Sequence, residues 1–122
     1  MVKAVLDAEA RGETGILGLV FVDHVTSRRI NREFMAHDEP TDVIAFRYDD
    51  GEDETWGEIY VNVERAREQS LEYGVSYENE LARLIIHGLL HLFGYDDRDA
   101  GSRSVMRERE DGLVERFYAV LE

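Results

Sequence analysis

The chain has 122 residues, of which 43% are hydrophobic and 10% aromatic, a size and composition typical of one folded domain. It has no cysteine, which excludes disulfides, thiolate metal ligands and a cysteine nucleophile. Its formal charge of −13 repels nucleic acid at long range, so any nucleic-acid function requires a local basic surface.

No apolar run reaches the length of about 18 residues that is needed to span a bilayer. The first residues also lack the layout of a signal peptide. We therefore expect a cytoplasmic location and no membrane partner. The chain length predicts one domain over residues 1–122.

Periodicity and turn residues predict five helices and three strands. In chain order they are a helix over 2–10, a strand over 16–22, a helix over about 25–35, strands over 41–48 and 56–63, and helices over about 64–73, 77–93 and 102–120. We expect an α+β fold, in which a small mixed sheet of three to four strands carries about five packed helices.

The helix over 77–93 contains the residues best suited to chemistry. It is apolar nearly all round, which predicts a central and buried position. His87 and His91 are four residues apart and therefore share one face. Gly88, between them, lets a neighbouring backbone or a substrate come close, and Gly94 ends the helix before an acidic loop.

Two imidazoles and a carboxylate, with one coordination position left open, are typical of a catalytic zinc site. Burying two imidazoles without partners is costly, which favours metal binding over a pair of hydrogen-bonded core histidines. The carboxylate follows in Asp96 or Asp97, and chemistry alone does not choose between them. Both could instead belong to a solvated loop.

The segment from His87 to Asp97 reads H-G-L-L-H-L-F-G-Y-D-D. It resembles the signature H-G-x-L-H-L-x-G-Y-D-H of the YbeY family of metal-dependent endoribonucleases. Other parts of the chain resemble the same family: the segment from Asn31 to Phe46 its N-x-x-[YF]…D-x-P-T-D-V-[LI]-[SA]-F block, Gly57-Glu58-Ile59 its G-D-I strand, and Met106 with Glu110 its final helix.

The resemblance implies one metal ion, zinc or another divalent transition metal, at the end of the buried helix. Its ligands would be the first, fifth and eleventh residues of the signature, His87, His91 and Asp97. Together with metal-activated water these are the expected catalytic groups, and Asp96 and Asp42 are candidates to orient a ligand or the water. For Asp42 a turn cap is an equal alternative.

The implied activity is single-strand-specific endoribonuclease cleavage, in maturation of the 3′ end of 16S ribosomal RNA and in ribosome quality control. The expected partners are single-stranded RNA, above all ribosomal RNA, and ribosome-associated proteins, with no DNA. The attacking group is either water or a ribose 2′-hydroxyl.

Three features depart from the family pattern. Asp97 stands where many relatives have His, which lowers the charge of the site and weakens its Lewis acidity. Met35 replaces an Arg that could clamp a phosphate. We also expect the sheet to lack the short strand that usually precedes the first helix. RNA contacts would then fall on Arg28, Arg32, Arg47 and His37, although for any single Arg a solvated helix face is the stronger interpretation.

Two alternatives to the nuclease remain. A ribosome-associated metal-binding module with little catalysis is favoured by Met35 and by the acidic surface. A metalloprotease is disfavoured, because Gly88 occupies the position at which H-E-x-x-H proteases place their general base.

Overall fold

The computed structural model describes residues 15–35, 41–48, 55–95 and 98–117. In these ranges it has three strands and four helices: β1 (Ile16–Val22), α1 (His24–Met35), β2 (Val43–Arg47), β3 (Thr55–Asn62), α2 (Val63–Tyr73), α3 (Tyr77–Leu92) and α4 (Ala100–Phe117). The predicted α+β class is confirmed, and the predicted elements recur with ends shifted by a few residues. The helix predicted over 2–10 lies outside the described residues.

Short polar side chains set the beginnings of the helices. The Asp23 carboxylate accepts from the Thr26 amide at 2.8 Å, and the Asn62 side chain accepts from the Arg65 amide at 3.1 Å. Ser76 does the same for α3 through the Asn79 amide at 3.0 Å. Each contact satisfies an amide that the first turn of a helix leaves without a partner. The last helix begins two residues before the predicted Ser102, because Asp99 caps it by accepting from the Ser102 amide at 2.7 Å.

The sheet is mixed, with strand order β1-β3-β2. The central strand β3 pairs parallel with β1 and antiparallel with β2. Its alternate side chains point to opposite faces. Ile59 and Val61, on one face, are fully buried, whereas Tyr60, on the other, packs edge-on against Phe46, which in turn contacts Phe34 of α1. Helix α1 therefore covers one face of the sheet, and α3 covers the face of Ile59.

Helix α3 lies very close to the sheet at Gly88. A Cβ atom built on Gly88 would lie 2.7 Å from Cγ2 of Ile59 and 3.3 Å from Cγ2 of Val43. Because both neighbours belong to the packed interface, only a residue without a side chain fits between α3 and the sheet. The prediction of a close approach at Gly88 is confirmed, with the sheet as the neighbour. Helix α3 also contacts α2 and α4.

In the described part of the chain, no helix combines the length and the apolar character that crossing a bilayer requires.

Gly88→Ala should lower the free energy of unfolding by roughly 1–2 kcal/mol, because overpacking exceeds the gain in helix propensity. The matched control is Gly112→Ala, in α4, where an added Cβ meets nothing within 4 Å. That change should raise stability by about 0.5–1 kcal/mol. Urea unfolding at a fixed metal content measures both changes, and equal effects would contradict a close contact at Gly88.

Candidate metal centre

One face of α3 carries both histidines. Their Nε2 atoms are 3.1 Å apart, and their rings meet edge to face with centroids 4.7 Å apart. A tetrahedral zinc ion with bonds of about 2.0–2.1 Å holds two nitrogen ligands about 3.3 Å from each other. The pair therefore has the separation and the convergence that two ligands of one ion require.

The second nitrogen of His87 has a carboxylate partner. Nδ1 of His87 lies 2.7 Å from Oε2 of Glu110 in α4, and Glu110 is only 9% exposed. An ionised carboxylate only accepts hydrogen bonds, so Nδ1 carries the proton and the lone pair of Nε2 is left for a metal. Carboxylates that orient metal-binding histidines in this way are common around zinc.

Arg83 holds the Glu110 carboxylate in place. Its Nη1 donates to Oε1 of Glu110 at 2.9 Å and to Oδ1 of Asp111 at 2.6 Å. Burial disfavours the charge on Arg83, but the hydrogen bonds that it donates to Asp111 and Glu110, together with the negative charges of these carboxylates, outweigh burial and raise the pKa of the guanidinium. A charged Arg83 therefore fixes the oxygen pair that orients His87.

From the sequence, Glu110 has no predicted role beyond being part of a final helix that resembles that of the family. A usable signal was present, because Glu110 shares the buried face of α4 with Met106 and Leu113. A carboxylate on an apolar helix face needs a partner. The pattern alone did not say that the partner is His87. Met106 is a core residue.

The predicted third ligand lies outside the described residues, together with Asp96 and His37. Within the described ranges, no three His, Cys, Asp or Glu side chains are grouped so that they could hold a metal ion. The described chain does turn back at this point, because the amides of Gly94 and Tyr95 bond to the carbonyls of His91 and Leu90. The acidic loop therefore starts beside the helical turn that carries His91.

The predicted RNA-binding arginines do not form one cluster with the histidines. Arg28 and Arg32 belong to α1, on the opposite face of the sheet from α3. Arg47, at the end of β2, donates to the carbonyl of Leu92 at 3.1 Å, and its guanidinium lies 5.4 Å from the centre of the Trp56 ring. Arg47 is therefore bonded to the end of the helix that carries the histidines.

A cavity of about 530 Å³ opens between α2, α3 and α4 and reaches His87. Asp42 and Gln69 lie on its wall, and Oδ2 of Asp42 accepts from Nε2 of Gln69 at 3.3 Å. The backbone carbonyl of Asp42 accepts from the Asn62 amide. Thr41 exchanges hydrogen bonds with Ser27, which joins the start of this segment to α1.

The family model described as Endoribonuclease YbeY matches residues 1–118. The chain belongs to the YbeY family. An Endoribonuclease YbeY from Desulforamulus reducens is 37% identical, with 96% of this chain and 82% of the relative covered. One from Salinibacter ruber is 40% identical, with 91% and 75% covered. A solution structure of a Thermotoga maritima protein matches with a TM-score of 0.65 and 30% identity, over 98% of this chain and 81% of that one.

Membership of the YbeY family agrees with the resemblance noted in the sequence and with the α+β architecture. The glycine and the two histidines of the signature occupy the face and the turn of α3 where the close packing and the paired Nε2 atoms are found.

Replacement of Glu110 should weaken zinc binding, because His87 loses the group that fixes its ring and its tautomer. We expect Glu110→Ala to lower the zinc affinity by roughly 10–100-fold, measured by competition with a chelator. Asp111→Ala is the matched control, since it also removes one carboxylate from Arg83 but does not touch His87. Equal losses in the two variants would contradict the orienting role.

Proposed function

We propose that this chain is a metal-dependent endoribonuclease that cleaves single-stranded RNA in the maturation of 16S ribosomal RNA and in ribosome quality control. The relatives that cover most of its length carry the name Endoribonuclease YbeY. The observation that carries the proposal is the convergence of the Nε2 atoms of His87 and His91 beside the buried carboxylate of Glu110.

The proposed metal is one zinc ion, held by His87, His91 and Asp97. When bound, zinc supplies Lewis acidity toward a phosphoryl oxygen and lowers the pKa of water. The two histidines present their lone pairs from one rigid helix, and Glu110 prevents His87 from turning its Nδ1 inward. The protein thus holds the ligands before the metal and the substrate arrive, which reduces the reorganisation that cleavage requires.

RNA contact is proposed for Arg28, Arg32, Arg47 and His37. Arg47 has the strongest support, because it is exposed and bonds to the carbonyl of Leu92, the residue that follows His91. A phosphate that bridges Arg47 and the histidine pair would place a backbone bond at the metal. A planar guanidinium suits this task because it offers several donors to one phosphate.

The first test uses zinc-loaded protein with a labelled single-stranded RNA and the same RNA annealed to its complement. We expect cleavage of the single strand, and His91→Ala should slow it by roughly 100-fold or more, because the metal contributes several kcal/mol to the transition state. His24→Ala is the matched histidine control, since His24 lies on α1 and contacts Asn62 and Glu68.

Activity that survives in His91→Ala would come from a contaminating nuclease and would remove the support for the enzyme. A zinc-loaded protein that binds RNA without cleaving it would favour the ribosome-associated binding module. The ends of the products identify the attacking group, because water leaves no cyclic phosphate whereas a 2′-hydroxyl forms a 2′,3′-cyclic phosphate.

The third ligand is tested by comparing Asp97→Ala with Asp96→Ala. A lost ligand costs far more than a lost orienting group, so Asp97→Ala should weaken zinc binding well beyond the roughly 10–100-fold that an orienting group contributes. Chelator competition at one pH gives both affinities. The reverse ranking would assign the ligand to Asp96.

A further inference from the structure

Two residues that line the cavity between α2, α3 and α4 each carry a buried side-chain oxygen without a hydrogen-bond partner in the described part of the chain. One is Oε2 of Glu80, a residue that is only 2% exposed, and the other is Oε1 of Gln69, which is 6% exposed. Both residues line the cavity. A buried carboxylate or amide oxygen without a partner is costly. Binding of a ligand would remove this cost for both oxygens.

Asp42 brings a second carboxylate to the same wall. Its Oδ2 accepts from Nε2 of Gln69 at 3.3 Å, so the unpartnered Oε1 of that amide is close to the Asp42 side chain. Burial raises the pKa of Glu80; the Arg83 cation opposes the rise, and the carboxylates of Asp42 and Glu110 add to it. Arg83 directs Nη1 at Glu110 and Asp111. Two further arginines, Arg103 and Arg107, line the cavity together with these carboxylates.

The available donor atoms suit a hard cation. Two carboxylates and an amide oxygen are ligands that Mg²⁺ prefers, and Mg²⁺ commonly keeps several waters while it binds one or two carboxylates. A cavity of about 530 Å³ has room for such waters, since each occupies about 30 Å³ in the liquid. Zinc, by contrast, prefers the imidazoles of the histidine pair.

We propose a second cation site in this cavity, at which Asp42, Glu80 and Oε1 of Gln69 bind one hydrated Mg²⁺ ion, separate from the histidine pair. The protein supplies two carboxylates and one amide. A site with only two carboxylates does not conflict with the finding that no three His, Cys, Asp or Glu side chains among the described residues form a metal-binding group. The proposal does not depend on the nuclease function, because the site is defined by binding alone.

The experiment uses the full chain, first loaded with one equivalent of zinc and freed of excess metal. Mg²⁺ is then titrated by calorimetry in about 0.1 M KCl, which screens diffuse attraction to the acidic surface. We expect one bound Mg²⁺ per chain, and Glu80→Gln should weaken it at least tenfold, or about 1.4 kcal/mol. Glu78→Gln makes the same charge change at an exposed position of α3 and should leave the affinity within about twofold.

A thermal unfolding series covers the case in which one variant folds poorly. Mg²⁺ should raise the Tm of the wild type and of Glu78→Gln, and should have little effect on Glu80→Gln or on the second variant, Asp42→Asn. Absence of Mg²⁺ binding by the wild type at millimolar concentrations would overturn the proposal. So would equal losses in Glu80→Gln and Glu78→Gln, which would indicate diffuse screening of the acidic surface.

A third outcome also overturns the proposal. If Glu80→Gln is more stable than the wild type by the same margin with and without Mg²⁺, the buried carboxyl is satisfied by a proton or a water. Because the readout is Mg²⁺ binding, each of these results is independent of whether the protein cleaves RNA.

Discussion

Helix α3 is packed so closely against β3 that Gly88 leaves no room for a side chain above Ile59. This contact fixes the rotation of the helix about its axis, and the rotation decides where its other side chains point. With Gly88 against the sheet, His87 is directed toward α4 and meets Glu110. The paired Nε2 atoms of His87 and His91 follow from the same rotation, since the two residues are one turn apart. The candidate metal centre therefore depends on a packing constraint at the next residue.

Electrostatic contacts between α3 and α4 add to this packing constraint. Glu110 would be costly on a buried helix face if it stood alone, but it accepts from both His87 and Arg83. Arg83 is stabilised in turn by Asp111. This chain of hydrogen bonds joins α3 to α4 and gives the first histidine one tautomer. Buried polar groups of this kind stabilise a structure only when every member has a partner, which explains why the unpartnered oxygens of Glu80 and Gln69 stand out beside it.

The acidic composition and the proposed RNA substrate make opposite demands on the surface. A chain with a formal charge of −13 gains little from long-range attraction to phosphates, so binding must come from short-range contacts and from the metal. Arg47 lies beside the last turn of α3, whereas Arg28 and Arg32 lie across the sheet. An RNA strand that used all three would have to contact both sides of the sheet.

Much of the fold was predictable because it depends on neighbours in the chain. Helix limits follow from caps such as Asn62 and Ser76, and strands follow from alternation such as that around Ile59. The spacing of His87 and His91 is also local and predicts that they share one helix face. Gly88, between them, correctly predicts a close packing contact. The family resemblance rests on the same local segments, and the match to the YbeY family confirms it.

The amino-acid sequence by itself determined the secondary structure, the α+β class and the face that the two histidines share, because each is decided within a few residues. Only the tertiary structure decided the strand order, the partner of Nδ1 of His87 and the grouping of Asp42, Gln69 and Glu80 around one cavity. Glu110 lies 23 residues after His87 in the sequence, and the three cavity residues come from the position before β2 and from the helices α2 and α3. Their proximity is a result of how the helices pack on the sheet, which no local pattern encodes.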